Sequence, residues 1–158
     1  MKAIIAAILW LAPHVGQQRA AVYAELIWDA GSCYRISPML IVAKIQLETR
    51  GSWREDATSP TSDYGLAQLH VSATTHAEYR GLEHLLFEPD RNIWMAARLL
   101  RYWQDYHDRH CLRTGREFHP WWAHYQWGRR VRNLRSARRV GRLYRELVSR
   151  FRERIPQS

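Results

Sequence analysis

Apolar residues recur along this chain at helical spacing between short polar turns, and the alternation typical of strands is nearly absent. The best-marked segment covers residues 37–48. Ser37 suits the N-cap, and Pro38 fits the first helical position. Gly51 lies just beyond the apolar run and can end a helix. The pattern therefore predicts a short apolar helix that ends at Glu48.

Two further helices follow from patterns of the same kind. Asp90 caps a segment that runs to about Arg109, and one side of that segment is apolar, with Ile93, Ala97, Leu100 and Trp103. Pro120 begins a shorter helix that carries Tyr125. Because 158 residues suffice for one core, we expect a single, mainly α domain.

Glu48 is the residue with the clearest candidate chemistry. At helical spacing it falls close to Ile41 and Ile45, so we expect its carboxyl to be partly buried. Burial raises the pKa of a carboxyl and suits it to donate a proton near neutral pH. Lys44 would act in the opposite direction if it reached the carboxylate. The simplest alternative is a surface glutamate paired with Lys44 or Arg50, and the sequence leaves this choice open.

The segment after this helix, residues 51–62, is rich in turn formers and predicts a loop. Gly65 then permits a backbone conformation or a close approach that a side chain would block. Gln68 offers both a donor and an acceptor to a sugar hydroxyl or acetamido group. Trp53 and Tyr64 could stack on a pyranose ring, although ordinary packing is an equal alternative for Trp53.

Together these segments resemble the soluble lytic transglycosylase (SLT) domain, over roughly residues 20–128. The family pattern is an apolar helix ending in Glu-Ser, a loop with Ala-x-Ser, Gly-Leu-Met-Gln, a helix with Asn-Ile, and Ala-Tyr-Asn. The matching segments here are Glu48-Thr49, Ala57-Thr58-Ser59, Gly65-Leu66-Ala67-Gln68, Asn92-Ile93 and Ala123-His124-Tyr125-Gln126. The form Asp63-Tyr64-Gly65-Leu66 is similar to the small subfamily attached to secretion systems, conjugation machinery and some phages.

The resemblance implies a mainly α, lysozyme-like fold and a role for each matching residue. Glu48 corresponds to the catalytic general acid/base, and Tyr125 to the tyrosine that orients its carboxyl. The expected substrate-binding residues are Thr49, Ser59, Tyr64, Gly65, Gln68 and Gln126. Three positions depart from the family pattern, because Thr49 replaces Ser, Ala67 replaces Met and Gln126 replaces Asn.

The implied reaction is cleavage of the β-1,4 bond between N-acetylmuramic acid and N-acetylglucosamine in peptidoglycan. Glu48 would protonate the glycosidic oxygen, and the substrate's N-acetyl group would stabilise the positive charge at the anomeric carbon. Glu48 would then take a proton from the C6 hydroxyl, which closes a 1,6-anhydro ring without water. This chemistry requires no metal and no cofactor.

Two alternatives keep the same fold. A nearby second carboxylate that holds a water would make the protein a hydrolytic lysozyme, and the candidates are Glu55, Asp56 and Asp63. We expect Asp63 instead to hydrogen-bond its own loop. The changes at Ala67 and Gln126 also leave open an inactive relative that binds glycan or nucleic acid without cutting.

The two ends of the chain differ from the middle. Residues 1–19 begin with one lysine and an apolar stretch, which predicts an export signal or, alternatively, an N-terminal helix of the folded domain. The catalytic domain is assigned to residues 20–128 and a basic amphipathic helix to residues 129–158. Peptidoglycan lies outside the cytoplasm, so we expect an exported, periplasmic or wall-associated protein of a cell or a phage.

The basic segment dominates the charge of the chain. Residues 129–154 hold eleven arginines and two glutamates, so this segment has a net charge of +9. That value equals the formal net charge of the whole chain. Its apolar residues follow a helical stripe, so we expect a packed or surface-bound helix with an arginine face. Its expected partners are anionic membrane or wall surfaces, including acidic stem peptides, with the secretion, conjugation or phage apparatus as a further partner. No specific nucleic-acid partner is expected.

Cysteine and histidine usage gives weaker signals. Cys33 and Cys111 could form one disulfide in an exported protein, or remain two buried thiols. His107 and His110 could share a helix face, but two histidines without a third ligand indicate a metal site only weakly. We therefore expect them to be solvated side chains near a helix end, and no metal site.

Overall fold

The computed structural model describes residues 1–72, 76–110, 119–129, 131 and 133–151. Its α-helices are α1 (Lys2–Leu11), α2 (Gly16–Tyr34), α3 (Pro38–Glu48), α4 (Pro89–His110), α5 (His124–Trp127) and α6 (Arg135–Phe151). Short 3-10 helices lie at Pro13–Val15, Ala77–Tyr79, Glu83–Phe87 and Trp121–Ala123. Two-residue strands β1 (Asp63–Tyr64) and β2 (Leu69–His70) pair antiparallel. The prediction of a mainly α protein is confirmed.

Helix α3 lies at the centre of the fold. It is apolar on nearly every side, and all its residues from Pro38 to Ile45 are buried. Helices α1, α2, α4 and α6 all pack against it. The helix begins and ends where the sequence predicts, with Ser37 as the N-cap residue and Glu48 as the last helical residue. The Ser37 side chain makes no capping hydrogen bond, so Pro38 at the first position marks this helix start.

Helix α4 is the long amphipathic helix predicted from its periodicity. It begins at Pro89, one residue before Asp90, and ends at His110. Ile93, Ala97 and Leu100 are fully buried, as the apolar stripe predicts, and the helix packs mainly against α2. The last helical turn carries His107, which is also buried.

The two terminal helices close the core. Ile4, Ala7 and Ile8 of α1 are fully buried, and the helix packs against α2, α3 and α6. Helix α6 buries Val140 and Leu147 and packs chiefly against α3. Helix α3 is therefore covered by both α1 and α6.

Gly141 in the middle of α6 has a packing role that its low helix propensity does not reveal. A Cβ at this position would lie 3.1 Å from Cζ2 of Trp122. The indole nitrogen of Trp122 also donates a hydrogen bond to the carbonyl of Ala137, at 3.0 Å. The glycine therefore lets α6 approach the segment that leads into α5.

None of the described helices has both the length and the apolar composition needed to cross a bilayer.

Candidate active site

A cleft of about 1110 Å³ opens at the C-terminal end of α3. Six of the predicted site residues line it, namely Glu48, Thr49, Ser59, Gln68, Tyr125 and Gln126. They come from α3, the loop after it, the turn between β1 and β2, and α5. The fold thus brings together residues that stand far apart in the sequence.

Glu48 lines this cleft beside a buried lysine. Its side chain is 17% exposed, which confirms the predicted partial burial. The ammonium of Lys44 donates a hydrogen bond to Oε1 of Glu48 at 2.5 Å, and the lysine side chain is only 3% exposed. Among the described residues, no other hydrogen bond to the Glu48 side chain is present. The carboxyl is therefore fixed by one oxygen.

Tyr125 reaches the same place from α5. Its hydroxyl donates a hydrogen bond to the carbonyl of Ala67 at 3.1 Å, and its ring centroid lies 4.0 Å from the Lys44 ammonium. Burial raises the pKa of Tyr125 well above its usual range, and the carboxylates of Glu48 and Asp63 act in the same direction. The phenol is therefore neutral at physiological pH. The described residues show no direct hydrogen bond between Tyr125 and Glu48, but both side chains lie against the Lys44 ammonium.

Asp63 also lines the cleft, but its carboxylate is held by its own loop. Oδ2 accepts hydrogen bonds from the hydroxyls of Ser59 at 2.5 Å and Thr61 at 2.6 Å. Oδ1 lies 3.0 Å from Nδ1 of His70. The prediction that Asp63 bonds its own loop is confirmed. Ser59 further accepts hydrogen bonds from the backbone amides of Thr61 and Asp63.

Gln68 and Thr49 have less donor capacity towards a ligand than the sequence indicated. The amide nitrogen of Gln68 donates to the carbonyls of Ala57 at 3.0 Å and Gly65 at 2.9 Å. The Thr49 hydroxyl donates to the carbonyl of Ile45 at 2.7 Å. Both side chains can still accept a hydrogen bond from a sugar hydroxyl.

Tyr64 and Gly65, predicted to bind substrate, are not among the residues that line the cleft. The ring of Tyr64 packs edge-on against Phe87, with centroids 6.0 Å apart. Gly65 has a φ of +72°, and a Cβ there would lie 2.2 Å from both the Asn92 side-chain nitrogen and the Leu86 carbonyl oxygen. The close approach predicted for Gly65 is therefore present, but the groups that approach it are Asn92 and Leu86 of the protein and not a substrate.

Asn92 explains this approach, and sequence reasoning gave it no role. The side chain is fully buried. Its amide nitrogen donates to the carbonyls of Tyr64 at 2.9 Å and Leu86 at 2.8 Å, and its oxygen accepts from the amide of Ala67 at 2.7 Å. One side chain from α4 thus holds the turn that carries Gln68.

The other candidate acids and Trp53 lie away from the cleft. Trp53 is buried, stacks on Tyr23 at 5.8 Å and donates to Gln46 at 2.6 Å, so it packs and does not face a sugar. Glu55 accepts a hydrogen bond from the Tyr23 hydroxyl at 2.5 Å, and burial together with this acid raises the pKa of that tyrosine. Asp56 is exposed and forms two hydrogen bonds with Arg54. Both acids line a separate, smaller pocket.

Several residues that line the cleft were not predicted from the sequence, among them Trp103, Ser136 and Arg139. Trp103 lies in the C-terminal half of α4, and Ser136 and Arg139 lie in the first two turns of α6. Arg139 places the arginine face of α6 at the edge of the cleft. The alternation of exposed arginines with buried apolar residues was the available signal, but it gave no direction relative to Glu48.

The predictions for the histidines and cysteines have three different outcomes. His107 is buried, so its assignment as a solvated residue was wrong; burial follows from the packing of the segment 119–128 over the end of α4. His110 is exposed, as expected. Cys33 is exposed on α2, and Cys111 lies outside the described residues, so the disulfide stays a prediction.

Comparison with known proteins agrees with this geometry. The family model described as the transglycosylase SLT domain matches residues 25–115, which is more than half of the chain. The match includes α3 with Glu48, the loop with Ser59, the hairpin and α4. The chain matches no curated protein and no solved structure.

Proposed function

Because the chain belongs to the family of transglycosylase SLT domains, we propose that it cleaves peptidoglycan with Glu48 as both general acid and general base. The family consists of lytic transglycosylases with a mainly α, lysozyme-like fold, which act on peptidoglycan glycan strands. The finer proposal is that the bond cleaved joins N-acetylmuramic acid to N-acetylglucosamine and that the products carry 1,6-anhydro ends.

One observation supports Glu48 as the single acid of the proposed reaction. Of the two carboxyls that line the cleft among the described residues, Asp63 has both oxygens engaged by Ser59, Thr61 and His70. Glu48 is engaged at one oxygen by Lys44, which leaves the other for the glycan. A hydrolase of this kind needs a second carboxylate that can hold a water, and Asp63 is poorly prepared for that task.

The protein's part in the proposed reaction is to position and to move one proton. Once Glu48 has taken up a proton, it donates that proton to the glycosidic oxygen and then accepts the proton of the C6 hydroxyl, so the acid is restored at the end of the cycle. Lys44 and Tyr125 fix the carboxyl from behind. Gln68, Thr49, Ser59 and Gln126 present polar atoms along the cleft wall. The N-acetyl group of the substrate stabilises the positive charge, so no metal or cofactor takes part in this chemistry.

Arg139 supports a second part of the proposal, which concerns the partner. It is exposed and lines the cleft, and it continues into the other arginines of α6. Stem peptides of peptidoglycan carry carboxylates beside the cleaved bond, and an arginine can bind such groups through two hydrogen bonds. We propose that the arginine face of α6 binds these carboxylates. We further propose that the protein is exported and lies in the periplasm or at the cell wall. There it would act together with a secretion, conjugation or phage apparatus.

The decisive experiment is mass spectrometry of purified peptidoglycan after digestion by the wild-type protein and by Glu48→Gln. We expect products that lack one water, the 1,6-anhydro ends, from the wild type alone, because the amide has no transferable acidic proton. Glu25→Gln, which changes an exposed glutamate of α2, is the matched control and should digest like the wild type.

The contrary outcomes are equally distinct. Reducing ends in place of anhydro ends would mean hydrolysis, and their loss in Asp63→Asn would identify Asp63 as the acid that holds the water. Binding of the glycan by a folded wild-type protein without any product would indicate an inactive relative. Full activity of folded Glu48→Gln would refute the assignment of the acid.

A further inference from the structure

Three buried or half-buried histidines meet behind the wall of the cleft. They are His107 near the end of α4, His119 in the segment before α5, and His124 at the start of α5. One ring nitrogen from each lies within 4.8 Å of the others. His107 and His124 are 6% and 0% exposed, so this cluster is covered by protein.

The separation of His107 and His124 is close to that of two zinc ligands. Nδ1 of His107 and Nε2 of His124 are 3.5 Å apart, which is long for a hydrogen bond between ring nitrogens. Two nitrogens bound tetrahedrally to zinc at about 2.0–2.1 Å lie roughly 3.3 Å apart. The three nitrogens lie up to 4.8 Å apart, so a closure of the widest pair by as much as about 1.5 Å would bring the cluster to ligand geometry.

His124 has the second hydrogen bond that metal-bound histidines usually have. Its Nδ1 lies 2.7 Å from the carbonyl oxygen of Gly128, and a carbonyl can only accept, so Nδ1 carries the proton. Nε2 then presents its lone pair towards His107. The backbone thus fixes both the tautomer and the ring orientation that a ligand requires.

We propose that His107, His119 and His124 bind one Zn²⁺ ion, whose role is to hold α5 against α4. Three imidazole nitrogens suit zinc better than calcium or magnesium, and a fourth position remains for water or another donor. Helix α5 has only four residues, too few to be stable without tertiary support. It nevertheless carries Tyr125, and Trp103, which lines the cleft, stacks on the His124 ring at 5.4 Å.

The ion would therefore organise the cleft without touching the glycan. Glu48 performs its proton transfers elsewhere, whereas the zinc fixes the short helix from which Tyr125 contacts Lys44 and Ala67. The inference is independent of the proposed reaction, because metal binding can be measured with no substrate present. A neutral histidine cluster packed among Trp103 and Tyr106 is the alternative that the experiment must separate.

The test uses the full chain without a histidine tag, stripped with a chelator and titrated with Co²⁺ and then Zn²⁺. We expect one equivalent of Co²⁺ to give the visible absorption of a four-coordinate site, and Zn²⁺ to displace it. Zinc at about 100 times its dissociation constant should raise the melting temperature by roughly 5–10 °C. Because this compares one protein with and without metal, it does not depend on how any variant folds.

Variants then assign the ligands. His107→Gln and His124→Gln should weaken Co²⁺ binding by more than about 100-fold, since loss of an outer hydrogen-bond partner alone costs 10–100-fold. His84→Gln, which changes an exposed histidine of a 3-10 helix, is the matched control and should bind like the wild type. Absence of stoichiometric Co²⁺ and Zn²⁺ binding by the wild type, or equal binding by all three variants, would overturn the proposal.

Discussion

Glu48 and Lys44 behave as one unit at the scale of single residues. The lysine is almost completely buried, and its ammonium forms a hydrogen bond with the Glu48 carboxylate and a cation-π contact with the Tyr125 ring. A buried charge without its counter-charge is costly. Any change of Glu48 therefore affects the stability of the fold as well as the chemistry.

We expect Glu48→Gln to lower the free energy of unfolding by about 1–3 kcal/mol, because the amide oxygen keeps a hydrogen bond but lacks the negative charge. Adding Lys44→Met should recover most of this loss, since the uncompensated ammonium is then removed. Urea denaturation of the two variants, with Glu25→Gln as the control, measures both effects. A single variant as stable as the wild type, or a double variant less stable than the single, would contradict the pairing.

Glu48 and Tyr125 could be predicted as candidate site residues because each lies in a short motif, and both line the cleft. The sequence could not show that they share Lys44, because that contact joins α3 to α5 across the fold. Arg139 was missed for the same reason. Tyr64 and Gly65 were predicted to bind substrate, whereas in the fold this part of the turn lies against the buried Asn92 side chain.

At the scale of elements, α1 raises a question that its composition leaves open. A short apolar stretch after one lysine is typical of an export signal and of a buried helix alike. In the fold, Ile8 is fully buried where α1 packs against α2, α3 and α6. This packing supports the alternative in which α1 belongs to the folded domain.

We expect Ile8→Ala to destabilise the purified protein by about 2–5 kcal/mol, because the substitution leaves a cavity in the core. Val22→Ala, on the exposed side of α2, is the matched control and should have little effect. Thermal unfolding measures both, and the intact mass of the same sample shows whether residues 1–19 are present. A protein that contains these residues and tolerates Ile8→Ala without loss would contradict the packing.

Helix boundaries were predictable where local chemistry marks them. Pro38, Asp90 and Pro120 each stand within one residue of an observed start or N-cap. The β1–β2 hairpin was not predictable, because strands of two residues are too short to show alternation. Its position depends on the buried Asn92 side chain, which belongs to a different element.

At the scale of the whole molecule, arginines cluster on the exposed face of α6. The exposed arginines of α6 are Arg135, Arg138, Arg139, Arg142, Arg145 and Arg150. Composition predicted both the helix and its arginine face. Only the fold shows that the opposite face completes the core, so truncating α6 would unfold the protein before it could reveal a binding role.

Neutralising part of the face is therefore the better test. We expect the triple change of Arg138, Arg142 and Arg145 to Gln to weaken binding to purified peptidoglycan by roughly tenfold at low salt, because each exposed ion pair contributes up to about 1 kcal/mol. The difference should shrink as salt screens the charges. Sedimentation with the insoluble wall material measures the bound fraction.

The matched control removes the same charge elsewhere, by changing Arg19, Arg80 and Arg109 to Gln. If the two triple variants lose binding equally, net charge and not the α6 face is responsible. Removal of stem peptides from the wall material with an amidase should abolish the difference between the wild type and the α6 variant. Persistence of that difference would assign the arginines to the glycan or to another anionic polymer.

The packing of α3 against α6 also has a consequence for the order of folding. The helix that ends in Glu48 is made early in synthesis, but its cover comes from Val140 and Leu147, close to the end of the described chain. Contacts so distant in sequence form slowly, because a long loop must close first. An incomplete chain that lacks α6 therefore contains Glu48 without the assembled cleft, and we expect the cleft to form only after α6 has been synthesised.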